Sequence, residues 1–199
     1  MASELRFLFP TTASDLQVVR AVLDGKVEAF GVLVERYQSR VFNLVNRMVG
    51  NRADAEDLSQ EIFCKLYQNL HRYDQSQPLQ NWLLRIASNH TINFLNQRRL
   101  PTTPIDREDS QGEIHPLQLP DHAPTPISNL ERRQLGESLL DALQKLPETY
   151  RLVFILKYLD DLTAEDIAEI VGSPRNTVKT WIFRARDLLR TELEKSNQL

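Results

Sequence analysis

Three groups of polar side chains in this sequence have the residue types and spacing to recognise another molecule. The first is Asp54, Asp57 and Glu61 in DAEDLSQEIF, three and four residues apart, a spacing that stacks carboxylates along one side of a helix. Such a face presents negative charge to a basic protein surface. The second is Asn81, Arg85, Asn89 and Asn93, followed by Asn96 and Arg99, in LQNWLLRIASNHTINFLNQRR. An amide donates and accepts at once, which suits the exposed edges of unpaired bases, while arginine can meet phosphate or stack. The third lies between Pro174 and Arg190, where Arg175, Lys179, Arg184, Arg186 and Arg190 stand against Asp187 alone, five minus one, or +4. A local excess of this kind is what a nucleic-acid backbone attracts, and the whole-chain charge of −3 hides it.

The remaining chemistry-bearing residues form no comparable pattern. His71, His90, His115 and His122 lack the spacing of metal ligands, so no metal site is expected. The lone Cys64 has no partner for a disulfide and reads as packing within a helix. Six glycines form no phosphate-cradling loop, and no nucleophile stands beside a base. The expectation is a protein without cofactor or catalysis. With 41% hydrophobic and 26% charged residues the composition is that of an ordinary globular chain. No stretch approaches the roughly 18 apolar residues of a membrane span, and MASELRFLFP lacks the form of a secretory signal, which predicts a cytoplasmic protein.

Helices must position these groups. Ser14 with Gln17 makes a capping box for a short helix over Asp15 to Asp24, which Gly25 ends. Phe30, Leu33, Tyr37, Val41, Leu44 and Met48 step by three and four and predict a helix over Glu28 to Val49, closed by Gly50. Ala55, Leu58, Ile62, Leu66 and Leu70 make the apolar stripe of the acidic helix, Asp54 to Leu70. The amide-bearing helix, Leu79 to Arg99, turns Leu79, Leu83, Ile86 and Phe94 inward, and His71 to Pro78 is the loop between the two. Residues 1–14 read as a leader and 15–100 as an all-α domain of four helices. Residues 101–128, with six of the ten prolines and an acidic balance, read as a linker.

A second helical domain is expected over 129–199. Leu135, Leu139, Leu143 and Leu146 mark a helix that Pro147 stops, and Tyr150 to Leu159 a denser apolar one. Thr163 with Asp166 caps Ala164 to Val171, Gly172 to Pro174 turns the chain, and Val178, Ile182, Ala185 and Leu189 make the next buried stripe. Helix, tight turn and a helix with a basic outer face is the helix-turn-helix arrangement. The fold class is therefore all-α, in two small helical domains.

DAEDLSQEIF followed by WLLRIASN resembles region 2 of the extracytoplasmic-function sigma factors of the sigma-70 family. TAEDIAEIVGSPRNTVKTWIFRARDLL resembles their region 4. The resemblance implies that Asp54, Asp57, Gln60 and Glu61 bind the clamp of core RNA polymerase. It implies that Tyr73, Asp74, Asn81, Trp82, Arg85, Asn89 and Asn93 recognise and melt the −10 element, the loop and the start of the next helix forming a pocket for an extruded base. Trp82 is equally suited to the core, next to Leu83. Arg175, Asn176, Thr177, Lys179, Thr180, Arg184 and Arg186 would read the −35 element, with Arg184 and Arg186 on phosphate. The linker would either thread polymerase channels near the RNA path or act as a plain tether, and the polymerase flap and an anti-sigma factor are further implied partners. The chain departs from the family pattern at Asn176, where many members have glycine, and at Thr180-Trp181, where many have Ser-Arg. The rival readings are a helix-turn-helix regulator that works without polymerase and an adaptor that binds proteins only.

Overall fold

The computed structural model of the chain describes residues 13–99, 136 and 138–196, and among these no strand occurs. Helix α1 spans Asp15–Leu23, and its capping box forms as the sequence predicts: Ser14 Oγ accepts from the Gln17 N–H at 3.3 Å while Gln17 Oε1 accepts from the Ser14 N–H at 2.9 Å. A 3₁₀ turn over Val27–Ala29 leads into α2, Phe30–Val49, so the start of the expected helix winds more tightly than an α-helix. Gly50 ends α2 at φ +74°, and a Cβ there would also press on the Gln144 side chain. Helix α3, Arg52–Asn69, begins two residues before the expected start because Asn51 caps it, its side chain accepting from the Asp54 N–H at 3.0 Å. A 3₁₀ turn over Leu70–Arg72 shortens the following loop. Helix α4 covers Leu79–Arg99.

These four helices close on an apolar centre. Leu33, Leu44 and Met48 of α2, Ile62 and Leu66 of α3, and Leu83 and Leu84 of α4 are almost wholly buried. The buried side of α4 is wider than its leucine periodicity predicts, since Leu84, Ala87, Ser88 and Thr91 are also inside. Thr91 is accommodated by donating its hydroxyl to the Ala87 carbonyl at 2.8 Å. Cys64 is exposed rather than packed, because it falls between the buried Phe63 and Leu66 on the outer side of α3. Leu44→Ala is expected to lower stability by about 2–5 kcal/mol, the usual cost of a fully buried leucine, read as a shift in urea midpoint.

In the second half the chain is helical at 138–144 (α5), then at Glu148–Phe154 (α6), which follows directly on Pro147. Where a single helix was expected to run to Leu159, the backbone widens into a π-helical turn over Ile155–Leu159. Helix α7, Ala164–Val171, ends at Gly172 with φ +66°, and α8 runs over Arg175–Ser196. The linker at 101–128, most of the leader and the first residues of the second domain lie outside the described residues.

The two halves pack directly on each other, α2 against α6 and α4 against α7, and their buried side chains join in one cluster. The seam is also polar. The Arg151 guanidinium, buried to 5% exposure, donates to the Met48 carbonyl in the last turn of α2 and to the Leu146 carbonyl at 3.0 Å. Gln144 donates to the Arg47 carbonyl at 2.8 Å. The end of α2, whose last carbonyls have no partner within the helix, is thus completed by side chains of the other half.

Candidate protein and nucleic-acid interfaces

The acidic face of α3 is built as its spacing predicts, but two of its three carboxylates are tied down. Arg98 Nη1 of α4 donates to Asp54 Oδ2 at 2.5 Å, and the His90 ring nitrogen lies 2.6 Å from Glu61 Oε2. Both pairs join α3 to α4 at the surface, beside the apolar contacts between the two helices. Asp57 and Gln60 are exposed beside them. Spacing within α3 could not reveal these partners, which are 44 and 29 residues away in sequence.

The amide face divides. Arg85, Asn89 and Asn93, four residues apart, are all exposed along one side of α4. Asn81 is not with them: at 4% exposure it is buried under α7, and its amide nitrogen donates to Asp166 Oδ1 and Glu169 Oε2, both at 3.0 Å. This corrects the expectation that Asn81 belongs to the polar surface. Its partners belong to the other half of the chain, beyond the reach of helical periodicity.

Loop Tyr73–Pro78 has a defined shape. Asp74 Oδ1 accepts from the Ser76 N–H at 2.9 Å, which closes the turn and holds the Asp74 carboxyl below its usual range. The Tyr73 hydroxyl donates to the Gln77 carbonyl, and burial raises its pKa, with Asp15 and Asp74 adding to the shift. The Tyr73 and Trp82 rings lie 5.2 Å apart. Trp82 is half-buried against the core, so it takes both of the roles open to it: one part packs and the rest borders the loop. The loop, the start of α4 and α7 enclose a cleft of about 500 Å³ whose lining includes Tyr73, Gln77, Asn81, Leu162 and Asp166.

The helix-turn-helix is formed by α7 and α8. Thr163 Oγ1 accepts from the Asp166 N–H at 3.1 Å and donates to Asp166 Oδ2 at 2.6 Å, and this bond holds the Asp166 carboxyl low. Arg175, Asn176, Lys179, Thr180, Arg184 and Arg186 are exposed, and Thr177 half-buried. Glu165 of α7 pairs with Arg175 Nε at 2.5 Å, and Thr180 donates to the Asn176 carbonyl at 3.1 Å. Trp181 packs partly on the core, as expected of a neighbour of Ile182. Phe183 was missed. It is 57% exposed, with the Arg186 guanidinium 5.1 Å from its ring centre, and it continues the exposed series 176, 180, 183. Its spacing of four and three from those residues was the available signal.

Comparison with known proteins agrees with both halves. Sigma-70 region 2 matches residues 33–100 and Sigma-70, region 4 matches residues 136–189. The chain is 34% identical over 177 residues to the ECF RNA polymerase sigma factor SigW of Bacillus subtilis, covering 88% of this chain and 94% of that one. It is also 34% identical over 187 residues to the ECF RNA polymerase sigma-E factor of Escherichia coli, covering 91% and 95%. The fold resembles CnrH in complex with the cytosolic domain of CnrY, with a TM-score of 0.63, 21% identity, and coverage of 89% and 96%. A similar match is RpoE of Bartonella quintana in complex with the anti-sigma factor NepR, with a TM-score of 0.63, 21% identity, and coverage of 83% and 96%. With an acidic helix fastened to an amide-bearing one, a helix-turn-helix behind them and relatives matched over nearly their whole length, the chain belongs to the extracytoplasmic-function sigma factors of the sigma-70 family.

Proposed function

We propose that this protein is a promoter-selecting subunit of bacterial RNA polymerase, which binds the core enzyme, recognises −10 and −35 elements and starts transcription. The observation that carries this is the union, on one chain, of the acidic face of α3, the exposed amides of α4 and the basic helix-turn-helix. A regulator working without polymerase has use for the last of these alone. In this reading residues 15–100 bind polymerase and open the −10 region, while residues 129–199 dock on the −35 element. Asp54, Asp57, Gln60 and Glu61 meet the clamp. Tyr73, Asp74 and Trp82 receive an extruded base, and Arg85, Asn89 and Asn93 hold the opened strand. The protein works in the cytoplasm without chemistry of its own, and the complexes formed by its structural neighbours support an anti-sigma factor as a partner. Transcription reconstituted from core polymerase, this protein and a pool of templates with random upstream sequence tests the reading. Sequencing the RNA should recover two separated motifs; output no higher than from core enzyme alone would refute it.

Arg175, Asn176, Thr177, Lys179 and Thr180 lie at the start of α8, where recognition helices place base-reading side chains. Arg175→Ala is expected to lose about 1–3 kcal/mol of preference at one position of the −35 element, provided its contact is bidentate. Its surface pair with Glu165 contributes under about 1 kcal/mol to folding, so the melting temperature should barely move. A uniform loss across all templates would instead mark Arg175 as a phosphate contact.

A further inference from the structure

We propose that Glu165 of α7 is a positioning residue for base reading: it aims the Arg175 guanidinium at a guanine of the −35 element, and in doing so lowers the attraction of the helix-turn-helix to DNA in general. The inference rests on the reading of α8 as the −35 helix. Among the described residues, Arg175 is the one basic side chain of α8 whose ion pair crosses to another element, its Nε lying 2.5 Å from Glu165 Oε1. Arg186 meets only its neighbour Asp187, at 3.9 Å, and Lys179 and Arg184 make no ion pair among the described residues.

A guanidinium carries five N–H bonds, one on Nε and four on the two Nη atoms. A carboxylate at Nε leaves the Nη fork open, and that fork can span O6 and N7 of guanine. The backbone beneath Arg175 is held on both sides. The Ser173 N–H donates to the Ala168 carbonyl and the Val178 N–H to the Pro174 carbonyl, each at 3.0 Å, and Val178 is wholly buried. Only the side chain keeps its freedom, and an arginine already held by a partner loses less of that freedom on binding. Glu165 is available for this task because Thr163 and Asp166 cap α7 without it. Its own side chain is 56% exposed.

The same carboxylate opposes phosphate. A lone arginine at this place would attract any stretch of duplex, whereas a neutralised pair adds nothing to the counterion release that drives sequence-independent binding. That attraction is left to cations farther along the helix, such as Arg184. Glu165 therefore raises selectivity twice, by aiming at the right base and by weakening the hold on the wrong DNA.

The test compares wild type, Glu165→Gln, Glu165→Asp and Arg175→Ala, each as full-length chain and as holoenzyme. Templates carry the −35 motif recovered from the random-template experiment with every base in turn at each position, and Arg175→Ala identifies the position that Arg175 reads. There, Glu165→Gln should lower the preference for guanine about fivefold, a part of what loss of the bidentate contact itself removes. The same variant, as free full-length chain, should bind duplex without the motif about threefold more tightly, with a salt slope steeper by about one, because one more positive charge is free to meet phosphate. Glu165→Asp keeps the charge and shortens its reach by one methylene, so it should lose guanine preference yet bind motif-free duplex like wild type. In an Arg175→Ala background, Glu165→Gln should leave base preference unchanged. A Glu165 that only supports the fold would move specific and motif-free binding in the same direction, and that result would overturn the inference. Unchanged guanine preference in Glu165→Gln, beside a clear loss in Arg175→Ala, would overturn it too and leave the sigma-factor reading standing. If Arg175→Ala relaxes no position, Arg175 reads no base and the inference falls; a holoenzyme that selects no −35 motif at all would remove the reading beneath it.

Discussion

Asp57→Lys/Glu61→Lys is expected to weaken binding to core RNA polymerase by several kcal/mol, a hundredfold or more, while the protein remains folded. The size follows from replacing attraction by like-charge repulsion at a close interface. Asp57 is exposed, and Glu61, though it pairs with His90, keeps 59% of its side chain accessible, so both can reach a partner. The folding cost is confined to the surface Glu61–His90 contact, worth under about 1 kcal/mol. Affinity measured by titration against labelled core enzyme, with circular dichroism as the control, separates the two effects. A folded variant that binds core enzyme like wild type would remove α3 from the interface.

The second large effect is expected from Asn89→Ala/Asn93→Ala. Both side chains are exposed on α4, and alanine is the better helix former by about half a kcal/mol at each site, so stability should hold or rise. Losing two hydrogen bonds to unpaired bases, each worth about 1 kcal/mol, should cut the population of open promoter complexes roughly 10–30-fold. Closed complexes on duplex promoter should change little. One helix cannot itself offset about 1.4 kcal/mol of stacking per base-pair step, so polymerase must drive the rest of the opening. Permanganate reactivity of thymines reads the melted state. Recovery on a template with a pre-opened bubble would show that the amides help strand separation, and a lasting defect that they hold particular bases. Normal melting by the double variant would leave Asn89 and Asn93 as ordinary surface residues.

Much of this molecule could be read from its sequence because its helices are specified locally. Ser14 with Gln17 and Thr163 with Asp166 form their capping boxes within four residues of chain, and Gly25, Gly50 and Gly172 all take the positive φ expected of helix ends. The stripes of α2 and α3 are buried as their spacing predicts. What spacing could not supply was anything decided between elements. Asn81 is buried by residues 85 and 88 positions away, and Arg151, next to the apolar run Leu152 to Leu156, meets the Met48 carbonyl 103 positions back. Burial on one helix face is a property of the helix, whereas the partner of a polar group depends on which surfaces meet. The π-helical turn at Ile155–Leu159 likewise has no signature in the sequence, for its residues fit an ordinary helix equally well.

The segregation of charge between α3 and α8 has a consequence for how the molecule approaches DNA. At long range a chain of net charge −3 is repelled by a polyanion, but acidic and basic groups on separate elements make the protein a dipole as well as a point charge. A dipole in a field gradient turns before it touches. Physiological salt screens exposed charges beyond about 8 Å, so this turning happens only in the last step of diffusion. It favours encounters in which the basic surface of α8 meets the DNA. Added salt should therefore slow association more than it shortens the life of a formed complex, since orientation acts on arrival and a buried contact on departure.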